Sequence, residues 1–87
     1  FRYIQAFANL ANAYLMKGMV DQAIEANHKA LKLAPDFAPA HNNLTIAYLE
    51  KGDYALAAEH CDRAVALGYD VAPEIRGEVD ANRPKPV

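Results

Sequence analysis

The chain repeats itself at an interval of 34 residues. Laid without a gap, residues 4–37 and 38–71 agree at thirteen positions: Ala6, Asn9, Leu10, Ala13, Tyr14, Leu15, Lys17, Gly18, Ala23, Glu25, Ala30, Leu33 and Asp36, each with its partner 34 further on. A fixed period of this size constrains the fold strongly, because each unit is one supersecondary element that cannot bury its apolar face alone and must stack on its neighbour. Most of the recurring residues pack or stop helices, so what recurs is a packing problem and not an active site.

Within the first unit, apolar residues fall at Ile4, Phe7, Leu10, Ala11, Tyr14 and Leu15, the 3-4 spacing of one helical face, and predict a helix over 3–17. Lys17-Gly18 stops it, with a cation at the negative helix end and a glycine free to turn left-handed. A second helix is predicted over 20–33, with Asp21 in its first turn and Pro35 beyond its end. So short a connection makes the pair an antiparallel hairpin. The second unit repeats the plan: Asp36 as cap, Pro39 in the first turn, a helix over 38–51 closed by Lys51-Gly52, then Asp53 as cap of a helix over 54–67 closed by Gly68. FAPA at 37–40 returns as VAPE at 71–74, which places a fifth, shorter helix over 71–79 with Asp70 as its cap.

The expected architecture is all-α, a solenoid of antiparallel helix hairpins: a single domain over 1–81 with repeat 1 at 4–37, repeat 2 at 38–71, a capping helix at 72–80, and a flexible tail at 82–87, where ANRPKPV holds two prolines and little to bury. Glu74, Arg76, Glu78 and Asp80 give the fifth helix the polar surface such an array needs at its end. The chain opens FRYIQ within helix-forming sequence and reads as an excised piece of a longer protein. Phe1, Tyr3 and Ile4 have no preceding hairpin to cover them, so this N-terminal face is expected to be exposed, as a contact for self-association or a seat for upstream repeats.

The order of large and small residues resembles the tetratricopeptide repeat. That family's pattern of aromatic, Leu-Gly, Tyr, Ala, aromatic, Ala and Pro is similar to Phe7, Leu10-Ala11, Tyr14, Ala23, Asn27, Ala30 and Pro35, and then to His41, Leu44-Thr45, Tyr48, Ala57, Cys61, Ala64 and Tyr69. The chain departs from the pattern at Ala11 and Thr45 for glycine, Asn27 and Cys61 for the second aromatic, and Tyr69 for the proline. The resemblance covers two full repeats and a C-terminal capping helix, and implies a right-handed superhelical stack whose task is protein–protein interaction.

Composition narrows the function classes. Nine basic and eleven acidic residues are interspersed for a net charge of -2, which supplies no footprint for nucleic acid. No apolar run approaches the length of a membrane span. Cys61 is the one cysteine and cannot form an internal disulfide, so a cytoplasmic protein is expected. Its neighbour His60 points about 100° away on a helix and is badly placed to activate it. The reading of Cys61 is a small core residue.

Glu25-x-x-His28 matches half of a di-iron bundle motif, but its counterpart is Glu59-x-x-Asp62 on an outer helix face. The three histidines, His28, His41 and His60, lie in three helices without metal-ligand spacing. No metal, no cofactor and no catalysis are expected.

A surface remains. Stacked hairpins line a concave face with the first helix of each repeat, roughly 20 Å tall for helices of this length. Gln5, Asn9, Asn12, Leu15 and Met16 from the first helix, and Asn42, Asn43, Ile46, Leu49 and Glu50 from the third, are expected to line it. Asparagines offer donor and acceptor to a peptide backbone, and Leu15, Met16, Ile46 and Leu49 offer apolar grip. Ala8 shares this side of the first helix. Some members of the family grip a C-terminal carboxylate with asparagines and cations on successive first helices. Asn12 and Asn43 match the asparagines, whereas the cation positions hold Ala8, Pro73 and Gly77, so the charge-assisted bonds of that clamp are missing. The expected function is therefore a groove for a peptide or partner helix, with a structural or self-association scaffold as the alternative.

Overall fold

The computed structural model describes residues 2–84, and consists there of five helices: α1 Arg2–Met16, α2 Val20–Leu33, α3 Ala38–Lys51, α4 Tyr54–Ala66 and α5 Pro73–Ala81. Two of the five keep the bounds set by the sequence, and the others move by one or two residues. Phe1 of the expected N-terminal face and residues 85–87 of the expected tail lie outside the described residues.

Three helix ends share one device. Gly18, Gly52 and Gly68 take φ of 76°, 77° and 86°, and the amide following each glycine reaches back to a carbonyl: Met19 N to Tyr14 O at 2.8 Å, Asp53 N to Tyr48 O at 2.9 Å, Tyr69 N to Ala64 O at 3.0 Å. This left-handed closure satisfies carbonyls that a helix end would otherwise strand, and glycine adopts it without a Cβ penalty. It also fixes the sharp reversal that sets each hairpin antiparallel.

The starts differ, and two expectations fail there. Asp53 caps α4, its Oδ1 accepting from Leu56 N at 3.2 Å. Asp36 and Asp70 do not cap: the N-cap residues of α3 and α5 are Phe37 and Ala72, without a side-chain bond. Pro39 and Pro73 explain the difference. A proline in the first turn removes one of the orphan amides a cap would serve and presets φ for the helix, so the start no longer requires an acceptor.

Alanine dominates the interior. Ala11, Ala23 and Ala30 of repeat 1, and Ala40, Ala47, Ala57 and Ala64 of repeat 2, are fully buried. A methyl at these crossings lets two helix backbones approach to roughly 8–10 Å. Beyond them, Leu49, Ala57, Ala58, Cys61 and Ala64 form a cluster with Val71 and Val79, against which Tyr48, Tyr69 and Ile75 pack. Val79 is the residue by which α5 seals the end of the stack, while Glu74, Arg76, Glu78 and Asp80 face water. The expected tail starts with a tether: Arg83 forms a two-pronged pair with Asp62, its Nη1 at 3.0 Å from Oδ2 and its Nη2 at 2.6 Å from Oδ1, and its Nε reaches Asp80 at 2.9 Å. The guanidinium holds the Asp62 carboxyl below its ordinary range.

Candidate functional site

The first helices of the two repeats lie side by side, joined where Asn43 Nδ2 donates to Ala8 O at 3.4 Å. Ala8 is buried at this seam. From α1, Gln5, Asn9, Asn12 and Met16 are exposed and Leu15 is half-buried. They bond along their own helix: Gln5 Nε2 donates to Asn9 Oδ1 at 3.0 Å, and Asn12 Nδ2 to Met16 Sδ at 3.9 Å. From α3, Asn42, Asn43 and Ile46 are half-buried and Glu50 is exposed.

Two of the ten residues are committed elsewhere. Leu49 is 9% exposed and belongs to the cluster sealed by α4 and α5. Asn43 turns its amide into the seam, donating also to Asn27 Oδ1 at 3.4 Å. Asn27, the residue that replaces an aromatic, is thereby a fully buried strut between α2 and α3. Its Nδ2 has no partner, and neither has the buried Oδ1 of Asn42.

Sequence spacing missed a second constellation. His28 of α2, His41 of α3 and Tyr48 meet around the ring of His60 of α4. His41 Nδ1 lies 3.0 Å from His60 Nδ1, His41 Nε2 lies 2.8 Å from Pro35 O, and His28 Nε2 lies 3.3 Å from Tyr48 Oη. The His60 ring stacks on those of His41 and Tyr48, with centroids at 5.3 and 5.7 Å, and meets His28 edge-on at 6.4 Å. Burial first, and the neighbouring His41 second, push His60 down to about 4. Among the described residues no group of three or more His, Cys, Asp or Glu side chains could hold a metal ion. The signal available in the sequence was the phase of the three residues on helices whose stacking is set by the repeat.

Cys61 packs in the core as expected. It is buried, and desolvation pushes its thiol up, away from nucleophilic use. Glu25 and Glu59 are exposed, and Glu25 pairs with Lys29 at 3.6 Å.

Two hairpins, matched position by position and closed by a single further helix, define a helical-repeat protein of the α-solenoid class. More specifically, the tetratricopeptide repeat family models match residues 4–37 and 40–73, and the chain belongs to that family. No curated protein sequence matches it. Tetratricopeptide repeats serve protein–protein interaction or scaffolding, and are typically non-catalytic. No helix among the described residues is long and apolar enough to cross a membrane.

Proposed function

We propose that the chain binds an extended peptide or a partner helix across the side formed by α1 and α3, and that it acts by binding and not by catalysis. One observation carries this: Gln5, Asn9, Asn12 and Met16 are exposed on α1 beside Asn42 and Ile46 of α3, at a spacing braced from beneath by the Asn43–Ala8–Asn27 seam. The free edges of Asn9 and Asn12 suit a peptide backbone. Leu15, Met16 and Ile46 supply apolar contact, and Glu50 borders it. Leu49 and Asn43 act beneath this surface. The interspersed charge favours a protein partner over nucleic acid, and the single unpaired Cys61 suits the cytoplasm.

Peptide selection on the intact chain, followed by calorimetric titration of the selected sequences, tests the proposal. Asn12→Ala and Asn42→Ala are each expected to weaken binding at least several-fold with the helical content unchanged. Selected peptides that bind both variants as tightly as the wild type would refute it.

A second reading has its own support. Tyr3 and Leu10 of α1 and Leu33 of α2 are exposed, and a shallow cleft lined by Phe7, Lys29, Lys32 and Leu33 adjoins them. A scaffold that self-associates or stacks on further repeats would use this N-terminal face. Sedimentation of the wild type against Leu10→Lys separates the readings, since only the scaffold changes its assembly state.

A further inference from the structure

With both rings neutral, the His41–His60 contact admits only one arrangement of protons. A carbonyl oxygen can only accept, so the 2.8 Å contact to Pro35 O places a proton on His41 Nε2. In the neutral ring Nδ1 is then bare, and the 3.0 Å contact across to His60 requires His60 Nδ1 to carry the proton and donate it. The result is a directed chain, His60 Nδ1–H to His41 Nδ1 and His41 Nε2–H to the Pro35 carbonyl. It links α4, α3 and the turn that joins the two repeats. His28 and Tyr48 extend it to α2.

We propose that this chain is an acid-sensitive latch on the stack: it fastens the second hairpin to the inter-repeat turn while the pair carries no more than one extra proton, and it releases when both rings are charged. A first proton on His41 Nδ1 can be accommodated, because His60 can carry its own proton on Nε2 and accept at Nδ1; with both rings charged, two N–H groups stand face to face at 3.0 Å. A proton added at His60 Nε2 keeps the bond but creates a half-buried imidazolium against the His41 and Tyr48 rings, with His28 at its edge. The charged groups around it do not rescue that cation. His28 from α2 and His41 from α3 disfavour it, Arg63 on its own helix disfavours it, and Glu59 on its own helix is the group that favours it.

His60 is accordingly held at about 4 in the folded chain, below the ordinary imidazole value of 6.5. The sign follows from linkage. A base whose folded value is depressed takes up protons more readily when unfolded, so the contribution of His60 to stability is fully present above pH 6.5 and is lost progressively as the pH falls toward 4. Asp62, whose folded value lies below the ordinary carboxylate range, is silent through most of that window.

Long-range proton–nitrogen NMR on the wild-type chain reads the latch directly. The expected spectrum at neutral pH shows one tautomer per ring, Nε2–H for His41 and Nδ1–H for His60, with His60 still neutral at a pH where a free imidazole is mostly charged. Mixed tautomers at both rings, or a His60 that titrates like a free imidazole, would overturn the proposal. A second readout is urea denaturation at about pH 7.5 and about pH 5 for the wild type and His60→Phe, which keeps a ring on Tyr48 but has no proton to take up. The drop in the wild-type midpoint on acidification is expected to shrink by at least half in the variant, and an equal drop in both would overturn the latch. If His60→Phe does not fold, the wild-type spectrum decides alone.

Discussion

Repeats 1 and 2 place the same side chains in opposite surroundings. Leu44 is fully buried while Leu10, its counterpart, is 44% exposed. Ala40 and Ala47 are fully buried while Ala6 and Ala13 are exposed. The helices are alike in length and share their closing glycine turn, so the difference comes from what lies against them. α2 packs on the outer face of α3, and among the described residues nothing packs on the matching face of α1. Residue identity therefore sets what a helix can bury, and position in the stack sets what it does bury. In a repeat array an exposed leucine in a core position marks a face that a further element could cover.

That comparison predicts unequal effects of equal substitutions. Leu44→Ala should cost about 2–5 kcal/mol, the range for a fully buried leucine, and Leu10→Ala under about 1 kcal/mol. Urea denaturation of the two variants measures the gap, and equal losses would mean that α1 is covered as α3 is. The asparagine pair gives a smaller contrast. Asn43→Ala removes the donor to Ala8 O and to the buried Asn27, leaving Asn27 wholly unsatisfied, and should cost about 1–3 kcal/mol. Asn9→Ala, at the equivalent exposed position, should stay within about 0.5 kcal/mol.

The smallest contrast lies at the starts of the second helices. Met19 and Asp53 are equivalent and have nearly the same backbone, φ -89° and ψ 70° against φ -89° and ψ 80°, yet only Asp53 accepts from the helix. Asp53→Ala should lose about 0.5–2 kcal/mol, and Met19→Asp should gain about 0.5–1 kcal/mol by installing the missing cap. Thermal denaturation of both variants checks the pair.

The features legible in the sequence were those that act within one helix or one turn. The apolar spacing of α1, the stops at Gly18 and Gly52 and the cap at Asp53 all depend on residues a few positions apart, and the 34-residue period repeats those local patterns. Asp36 and Asp70 were misread because an acidic residue ahead of a helix looks the same with or without a proline in the first turn, and the proline decides whether a cap is used.

Residues whose role is set between helices stayed hidden. Asn27 looked like a flaw in the aromatic position until α3 brought Asn43 against it. Leu49 sits where a groove residue would, and is claimed by the cluster that α4 and α5 close. The three histidines are far apart in sequence and meet because the packing of α2, α3 and α4 brings them together around His60. A period reports how units repeat, whereas such contacts depend on how one unit is rotated against the next.

Thiol labelling tests the central claim, that repeat 1 presents an uncovered copy of a face that repeat 2 buries. Ala6→Cys and Ala40→Cys place one new thiol at each equivalent site, and the buried Cys61 serves as an internal reference in both. Under native conditions Cys at position 6 should react at nearly the rate of a free thiol, and Cys at position 40 should react as slowly as Cys61. Equal rates at the two positions would contradict the account.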